Sequence, residues 1–159
     1  MTTFYRCDGT DENFQTLIAA LDAELTDRYG AQMDFYGAFN GVQGVYTAVV
    51  ALDDGKPAGC GCFKPLADGS VEMKRIYVAP EARKKGVARG VMTRLEEWAA
   101  ELGYTRAVLE TGTSQPEAIG LYESIGYCRI ENYPPYVGVH NSVCYEKQLG
   151  EGKRTKIMG

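Results

Sequence analysis

The chain has 159 residues, 45% of them hydrophobic and 24% charged, which suits one domain with its own core. A formal net charge of −4 and a pI near 5.1 argue against a dedicated nucleic-acid binder, whose domains are usually basic. No apolar run approaches the ~20 residues that span a membrane, and no basic-then-apolar leader opens at Met1-Thr2-Thr3, so a soluble cytoplasmic protein is expected.

Thr3 to Cys7 reads as a short strand, followed by the turn Asp8-Gly9-Thr10-Asp11, in which Thr10 or Asp11 can cap a helix. Phe14, Leu17, Ile18, Leu21 and Leu25 recur at three- and four-residue steps, which predicts an amphipathic helix over 13–27. Tyr29 to Gly44 is aromatic and glycine-rich without a period, and its aromatics either line a substrate cleft or cover a sheet edge. Three strands joined by tight turns come next: Val45–Leu52, Ala58–Phe63 and Ser70–Val78. The middle one, Ala58-Gly59-Cys60-Gly61-Cys62-Phe63, is thin in side chains and suited to close packing.

From Gly86 a long helix carries Val87, Val91, Leu95, Trp98 and Leu102 on one stripe, and Gly103 ends it. Thr105–Thr111 is a strand, and strand–helix–strand implies a parallel neighbour reached by a right-handed crossover. Ser114-Gln115-Pro116-Glu117 reads as a capping box opening a second short helix, with Ala118, Leu121, Tyr122 and Ile125 on one face and Gly126 as its stop. Strands at Tyr127–Glu131 and Ser142–Leu149 follow, around an irregular Asn132-Tyr133-Pro134-Pro135-Tyr136, and 150–159 is a polar tail. One domain over 1–149 is expected.

The five cysteines (Cys7, Cys60, Cys62, Cys128, Cys144) form no C-x-x-C pair, and with His140 as the single histidine no metal site is expected. They read as small buried or strand residues of a reducing compartment.

The stretch that carries chemistry is Val78-Ala79-Pro80-Glu81-Ala82-Arg83-Lys84-Lys85-Gly86-Val87-Ala88-Arg89. A strand stops at a proline, and a basic turn with small residues opens a helix. The first helical N–H groups lack intrahelical partners and sit at the positive end of the macrodipole, so such a turn is a seat for an anion such as pyrophosphate. Neither the Walker Gly-Lys-Ser/Thr nor the G-x-G-x-x-G fingerprint is present.

Three segments in order resemble the GNAT acetyltransferase superfamily, over roughly Thr3 to Leu149. They are Arg83-x-x-Gly86-x-Ala88 after Val78-x-Pro80, then Leu109-Glu110-Thr111 before a short helix, and Ala118-Ile119-Gly120-Leu121-Tyr122-Glu123-Ser124-Ile125-Gly126-Tyr127. The resemblance, to a small single-domain bacterial-type member, implies a mixed α/β sheet whose central strands splay around acetyl-CoA. It implies that the amides of Lys85, Gly86, Val87, Ala88 and Arg89 cradle the pyrophosphate. Arg83 and Lys84 add charge or shape, and Ile76 and Val78 bond the pantetheine arm through their main chains. Gln115 stands where family members often carry Asn near the pantetheine.

Transfer to an amine needs a neutral amine, a polarised thioester carbonyl and a proton for the thiolate. The resemblance assigns Tyr122 as that proton donor, and a main-chain N–H of Tyr77 or Val78 as the carbonyl's partner. Glu72 lies six residues before Val78, where the histone-acetylating branch places its glutamate, and it is the candidate base. A period of two puts Glu72, Lys74, Ile76 and Val78 on one face; a salt bridge to Lys74 or a solvated edge is the competing role for Glu72, and many members of the superfamily use a water relay as the base instead. His140, in the loop that borders the acceptor site in this fold, is a second base candidate, and Tyr133 and Tyr136 are wall residues.

Asp34, Glu72 and Glu110 favour a small cationic acceptor such as an amino acid, polyamine or aminoglycoside. Acetylation of a protein lysine or N-terminus, a non-catalytic acyl-CoA-binding module and a phosphate-binding protein of another class are the alternatives. A homodimer is compatible with the resemblance.

Overall fold

The structure is a computed structural model, and it describes residues 1–29 and 44–150. Tyr29–Gly44 was read as an irregular aromatic segment; Asp34, Phe35, Tyr36 and Phe39 lie outside the described residues, as does the tail from Glu151. Among the described residues eleven elements form a mixed α/β chain, and seven strands are hydrogen-bonded in the order β1-β2-β3-β4-β5-β7-β6. The chain forms two compact units: one from Met1–Lys64 with Lys74–Leu95, the other from Pro65–Met73 with Glu96 onward.

In the first unit, β1 (Thr2–Cys7) pairs antiparallel with β2 (Thr47–Asp53), which pairs antiparallel with β3 (Lys56–Pro65). The two-residue connection Asp54-Gly55 has both residues at positive φ, 50° and 83°, the primed turn that matches strand twist. Helix α1 (Glu12–Tyr29) starts at Asp11, whose Oδ1 accepts the Phe14 N–H at 2.9 Å; of the two cap candidates, Asp11 is the cap. Its Phe14, Leu17 and Ile18 are buried with Val45, Ala48, Val50, Cys60, Cys62 and Tyr77. Burying each large apolar side chain contributes roughly 1.5–3 kcal/mol.

The alternation in β3 separates two faces. Cys60 and Cys62 join the α1 cluster, while Gly59 and Gly61 face helix α2 (Val87–Glu101). A Cβ at Gly61 would stand 3.0 Å from both Val91 Cγ1 and Leu95 Cδ1, and would collide with Ile76 Cδ1. Glycine therefore lets the helix sit directly on the strand. The buried face of α2 is Val87, Val91, Met92, Leu95, Ala99 and Ala100. Leu102, read as part of the stripe, is 57% exposed, because the helix has already ended: Gly103 takes φ 98° and Tyr104 N–H donates to Ala99 O.

Strand β4 (Val71–Val78) belongs to both units. Arg75 takes φ 59°, a left-handed geometry in mid-strand. Its buried guanidinium pairs with Asp22 of α1, and its carbonyl accepts the Cys60 thiol. This corrects the single-face reading. The alternation holding Ile76 and Val78 is not continuous with the one holding Glu72, because the backbone between Lys74 and Ile76 is not extended.

In the second unit, β5 (Arg106–Gly112) pairs parallel with β4 over Val71–Met73 alone, and antiparallel with β7 (Ser142–Gln148) along its whole length. Strand β6 (Cys128–Ile130) pairs with β7 and is shorter than the sequence suggested. Helix α3 (Pro116–Ser124) has Gln115 at its N-cap, with no side-chain cap hydrogen bond. The expected Ser114–Glu117 box does not form, because Pro116 occupies the first helical position and places the cap one residue later than Ser114. Cys60, Cys62 and Cys144 are buried, Cys7 half-buried and Cys128 exposed, and none of the five is in a disulfide.

The glycine face of β3 makes a direct prediction. Gly61→Ala overpacks the contact with Val91, Leu95 and Ile76 and should cost about 1–3 kcal/mol in urea unfolding with an unchanged m-value. An unchanged midpoint would show that the helix can shift outward freely.

Candidate active site

The first unit builds the basic turn from the end of β4. A 3-10 turn, Pro80–Ala82, follows Ala79, whose N–H donates to Ala58 O at 2.8 Å. Arg83 then folds back: its Nε donates to Val78 O at 3.0 Å, its Nη2 to Glu24 at 2.7 Å, and its guanidinium lies 5.8 Å from the Tyr77 ring centre. Arg83 thus clamps the turn to the strand and to α1, which matches the shaping role. Lys84 and Gly86 both take positive φ, 66° and 80°, and α2 begins at Val87. The first i→i−4 bond is Gly90 N–H to Gly86 O, 3.0 Å, so the amides of Val87, Ala88 and Arg89 precede it. Lys84, Lys85, Gly86 and Arg89 are exposed. The Lys85 ammonium stands 3.7 Å from Asp53, an exposed pair that leaves it mobile.

The second unit collects the candidate acid and base. Glu72 pairs with Val108 and Glu110 with Cys144, so a period of two puts Glu72, Glu110 and Cys144 on one face. Glu72 is buried, and the Tyr133 hydroxyl donates to its Oε2 at 2.8 Å. Burial, then the Glu72 charge, pushes the Tyr133 phenol well above its ordinary range. Tyr122 is buried on α3, and burial followed by the Glu110 charge raises its phenol too. Both phenols therefore keep their protons at neutral pH. The hydroxyls of Tyr127 and Tyr145 also donate to carboxylates, those of Glu96 and Glu123. Among the described residues the Tyr122 hydroxyl donates to none.

The chain is similar to known proteins. A model of the acetyltransferase (GNAT) family matches residues 13–127. The chain belongs to the GNAT family. It is 38% identical over 94 residues to the uncharacterized N-acetyltransferase YsnE of Bacillus subtilis, covering 58% of this chain and 62% of YsnE. It is 33% identical over 102 residues to the IAA acetyltransferase of Azospirillum brasilense, covering 64% of this chain and 67% of that one. The crystal structure assigned to an acyl-CoA N-acyltransferase of Klebsiella pneumoniae superimposes with a TM-score of 0.79 at 32% identity, over 94% of this chain and 99% of that chain. As a GNAT member the chain is an acyltransferase whose co-substrate is acetyl-CoA.

The turn of this GNAT chain fits a phosphate group on its own geometry. A Cβ at Gly86 would meet nothing within 4 Å, so the bare backbone there is open to a ligand. No group of acidic, Cys or His side chains suited to a metal occurs among the described residues. His140 is exposed in the loop, and Gln115 is half-buried at the start of α3. None of the helices of the described residues is long and apolar enough to cross a membrane.

Two arrangements were not legible in the chain. Tyr133 was read as wall, but it holds the carboxylate of Glu72. The loop that presents it is organised by Asn132, whose Nδ2 donates to the carbonyls of Tyr136, Val139 and Ser142 at 3.2, 3.3 and 3.0 Å. Two amide hydrogens shared among three carbonyls tie 132–142 into one piece. An Asn before Pro-Pro was the only sequence signal, and it reads equally as an ordinary turn.

Asn132→Ala should therefore lower stability by about 1–3 kcal/mol, since it strands carbonyls at the loop's centre. Amide exchange at Val139 and Ser142, which donate within this loop, should accelerate ahead of exchange in β5. Equal acceleration across both segments would mean that the loop has no local dependence on Asn132.

Proposed function

We propose that the chain transfers the acetyl group of acetyl-CoA to the primary amine of a small molecule, by direct attack with both substrates bound. The observation that carries this reading is the pair of groups in the second unit: a buried carboxylate, Glu72, and a buried phenol that keeps its proton, Tyr122.

The turn of the first unit supplies binding. The amides of Lys85 to Arg89 and the charges of Lys84, Lys85 and Arg89 hold the pyrophosphate, while Arg83 fixes the turn's shape. The main chains of Ile76 and Val78 take the pantetheine arm in the manner of an added strand, and Gln115 offers an amide to it. A main-chain N–H of Tyr77 or Val78 polarises the thioester carbonyl.

The second unit supplies proton transfer. Glu72 accepts a proton from the amine nitrogen as the C–N bond forms. Tyr122 gives its O–H proton to the sulfur as the C–S bond breaks. The proton on Glu72 returns to the Tyr122 oxygen through solvent, so the two residues end as they began. A raised phenol is a weak acid in the resting protein, and it releases its proton only against the developing thiolate. Tyr133 stays protonated and keeps the Glu72 carboxylate in place.

A small acceptor is supported by the acidic character of this face, with Glu72 and Glu110 together, and by the relative named for IAA. A cationic amine suits those carboxylates.

Calorimetric titration with acetyl-CoA, with ATP as control, tests the cofactor; thiol release over a panel of amines tests the acceptor. Tyr122→Phe should bind acetyl-CoA normally and lower kcat ~10²-fold, the scale of lost general acid catalysis. An unchanged rate would remove Tyr122 from the mechanism. Gly86→Glu should abolish acetyl-CoA binding through charge repulsion at the turn, while circular dichroism confirms that the variant is folded. Normal binding by that variant would place the phosphate elsewhere.

A further inference from the structure

The Tyr122 phenol must meet a sulfur atom to within a few tenths of an ångström, yet it stands on a helix of only nine residues. Its neighbour Tyr127 is fixed from two sides. The Tyr127 N–H donates to Tyr122 O at 3.0 Å, closing the C-terminal turn of α3 around Gly126 at φ 103°. At the other end, the Tyr127 hydroxyl donates to Glu96 Oε2 at 2.9 Å. The second oxygen of Glu96 accepts from Lys147 Nζ, also at 2.9 Å, and that ammonium lies 5.7 Å from the Tyr127 ring centre. The Tyr127 ring, 3% exposed, meets the Tyr122 ring edge-on at 6.1 Å and 62°.

We propose that Tyr127, Glu96 and Lys147 are positioning residues that set the placement of the Tyr122 phenol. This rests on the reading of Tyr122 as the proton donor to sulfur. Filling the space beside Tyr122 needs only an aromatic ring, which phenylalanine would supply without a polar atom to satisfy. The tyrosine adds a buried hydroxyl, which requires the carboxylate of Glu96, and that charge in turn is matched by Lys147. The three groups define the ring's position along the direction that packing leaves soft, because a hydrogen bond is directional and van der Waals contact is not. Backbone and ring together then transmit that position to Tyr122.

The test needs no acceptor. The full chain is titrated calorimetrically with CoA and with desulfo-CoA, in which hydrogen replaces the thiol. Wild type should prefer CoA roughly fivefold, the worth of one net hydrogen bond to sulfur. Tyr122→Phe should abolish the preference. Tyr127→Phe and Glu96→Gln should each bring it close to one, with desulfo-CoA affinity within about twofold of wild type. Glu96→Gln keeps the side chain's volume and carries the same test if Tyr127→Phe does not fold. No preference in wild type, or a preference that survives Tyr122→Phe, overturns the Tyr122 reading and this inference with it. A preference lost in Tyr122→Phe and intact in Tyr127→Phe and Glu96→Gln overturns the positioning role alone. Equal loss of affinity for both ligands, with the ratio unchanged, also overturns it, since that is what a purely structural role would give.

Discussion

Strand β4 pairs with β5 over three residues and no more, and the organisation of the chain follows from that limit. Val71, Glu72 and Met73 complete a parallel ladder; two residues later Arg75 turns left-handed, and the strand continues in the other unit. A non-glycine residue at φ 59° is costly, of order 1 kcal/mol, and it persists because its surroundings hold it. The Arg75 guanidinium is buried against Asp22 and its carbonyl is taken by Cys60. Helix α1 and strand β3 thus hold the interruption in place. The main chain from Ile76 to Val78 is left outside the β5 ladder, and the Val78 carbonyl accepts from Arg83 Nε instead.

The second unit solves a different problem, that of keeping polar groups inside an apolar wall. Three of its tyrosines are paired with carboxylates: Tyr133 with Glu72, Tyr127 with Glu96, Tyr145 with Glu123. Each pair satisfies a phenol and a carboxylate together, and burial, followed by the neighbouring carboxylate, raises each phenol above its ordinary range. Such pairs fix geometry more than they add stability, since desolvation consumes much of the electrostatic gain. Tyr122 is set apart from this pairing: it is buried near the Glu110 charge, and its hydroxyl donates to no carboxylate among the described residues.

The order of strands and helices was legible because the periodicities of α1, α2 and the hairpin strands are strong and local. The basic turn was legible for a related reason: Pro80, Gly86 and Ala88 constrain the backbone whatever surrounds them. The failures lie where a tertiary contact, or a neighbouring glycine or proline, overrides the pattern. Arg75 has no sequence mark for a left-handed bend, because Asp22, its partner, is 53 residues away. Leu102 fits the helical stripe by spacing, but the stripe runs past the helix end. Ser114 and Glu117 have the spacing of a capping box, and a proline at the first helical position displaced it. The Tyr133–Glu72 bond spans 61 residues, and no period or motif joins two such positions.

The α3 turn also sets a length rule. Four residues separate Tyr122 from Tyr127, and the hydrogen bond from the second to the carbonyl of the first exists only at that spacing. Substitutions between them change side chains and leave the spacing intact. An added or deleted residue would rotate the second ring by about 100° around the helix axis, or carry it past the turn altogether. This segment should therefore tolerate neither a change of length nor a side chain at Gly126, whose φ is 103°, in contrast to the Asp54-Gly55 hairpin tip, where strand ends can absorb an extra residue at the surface.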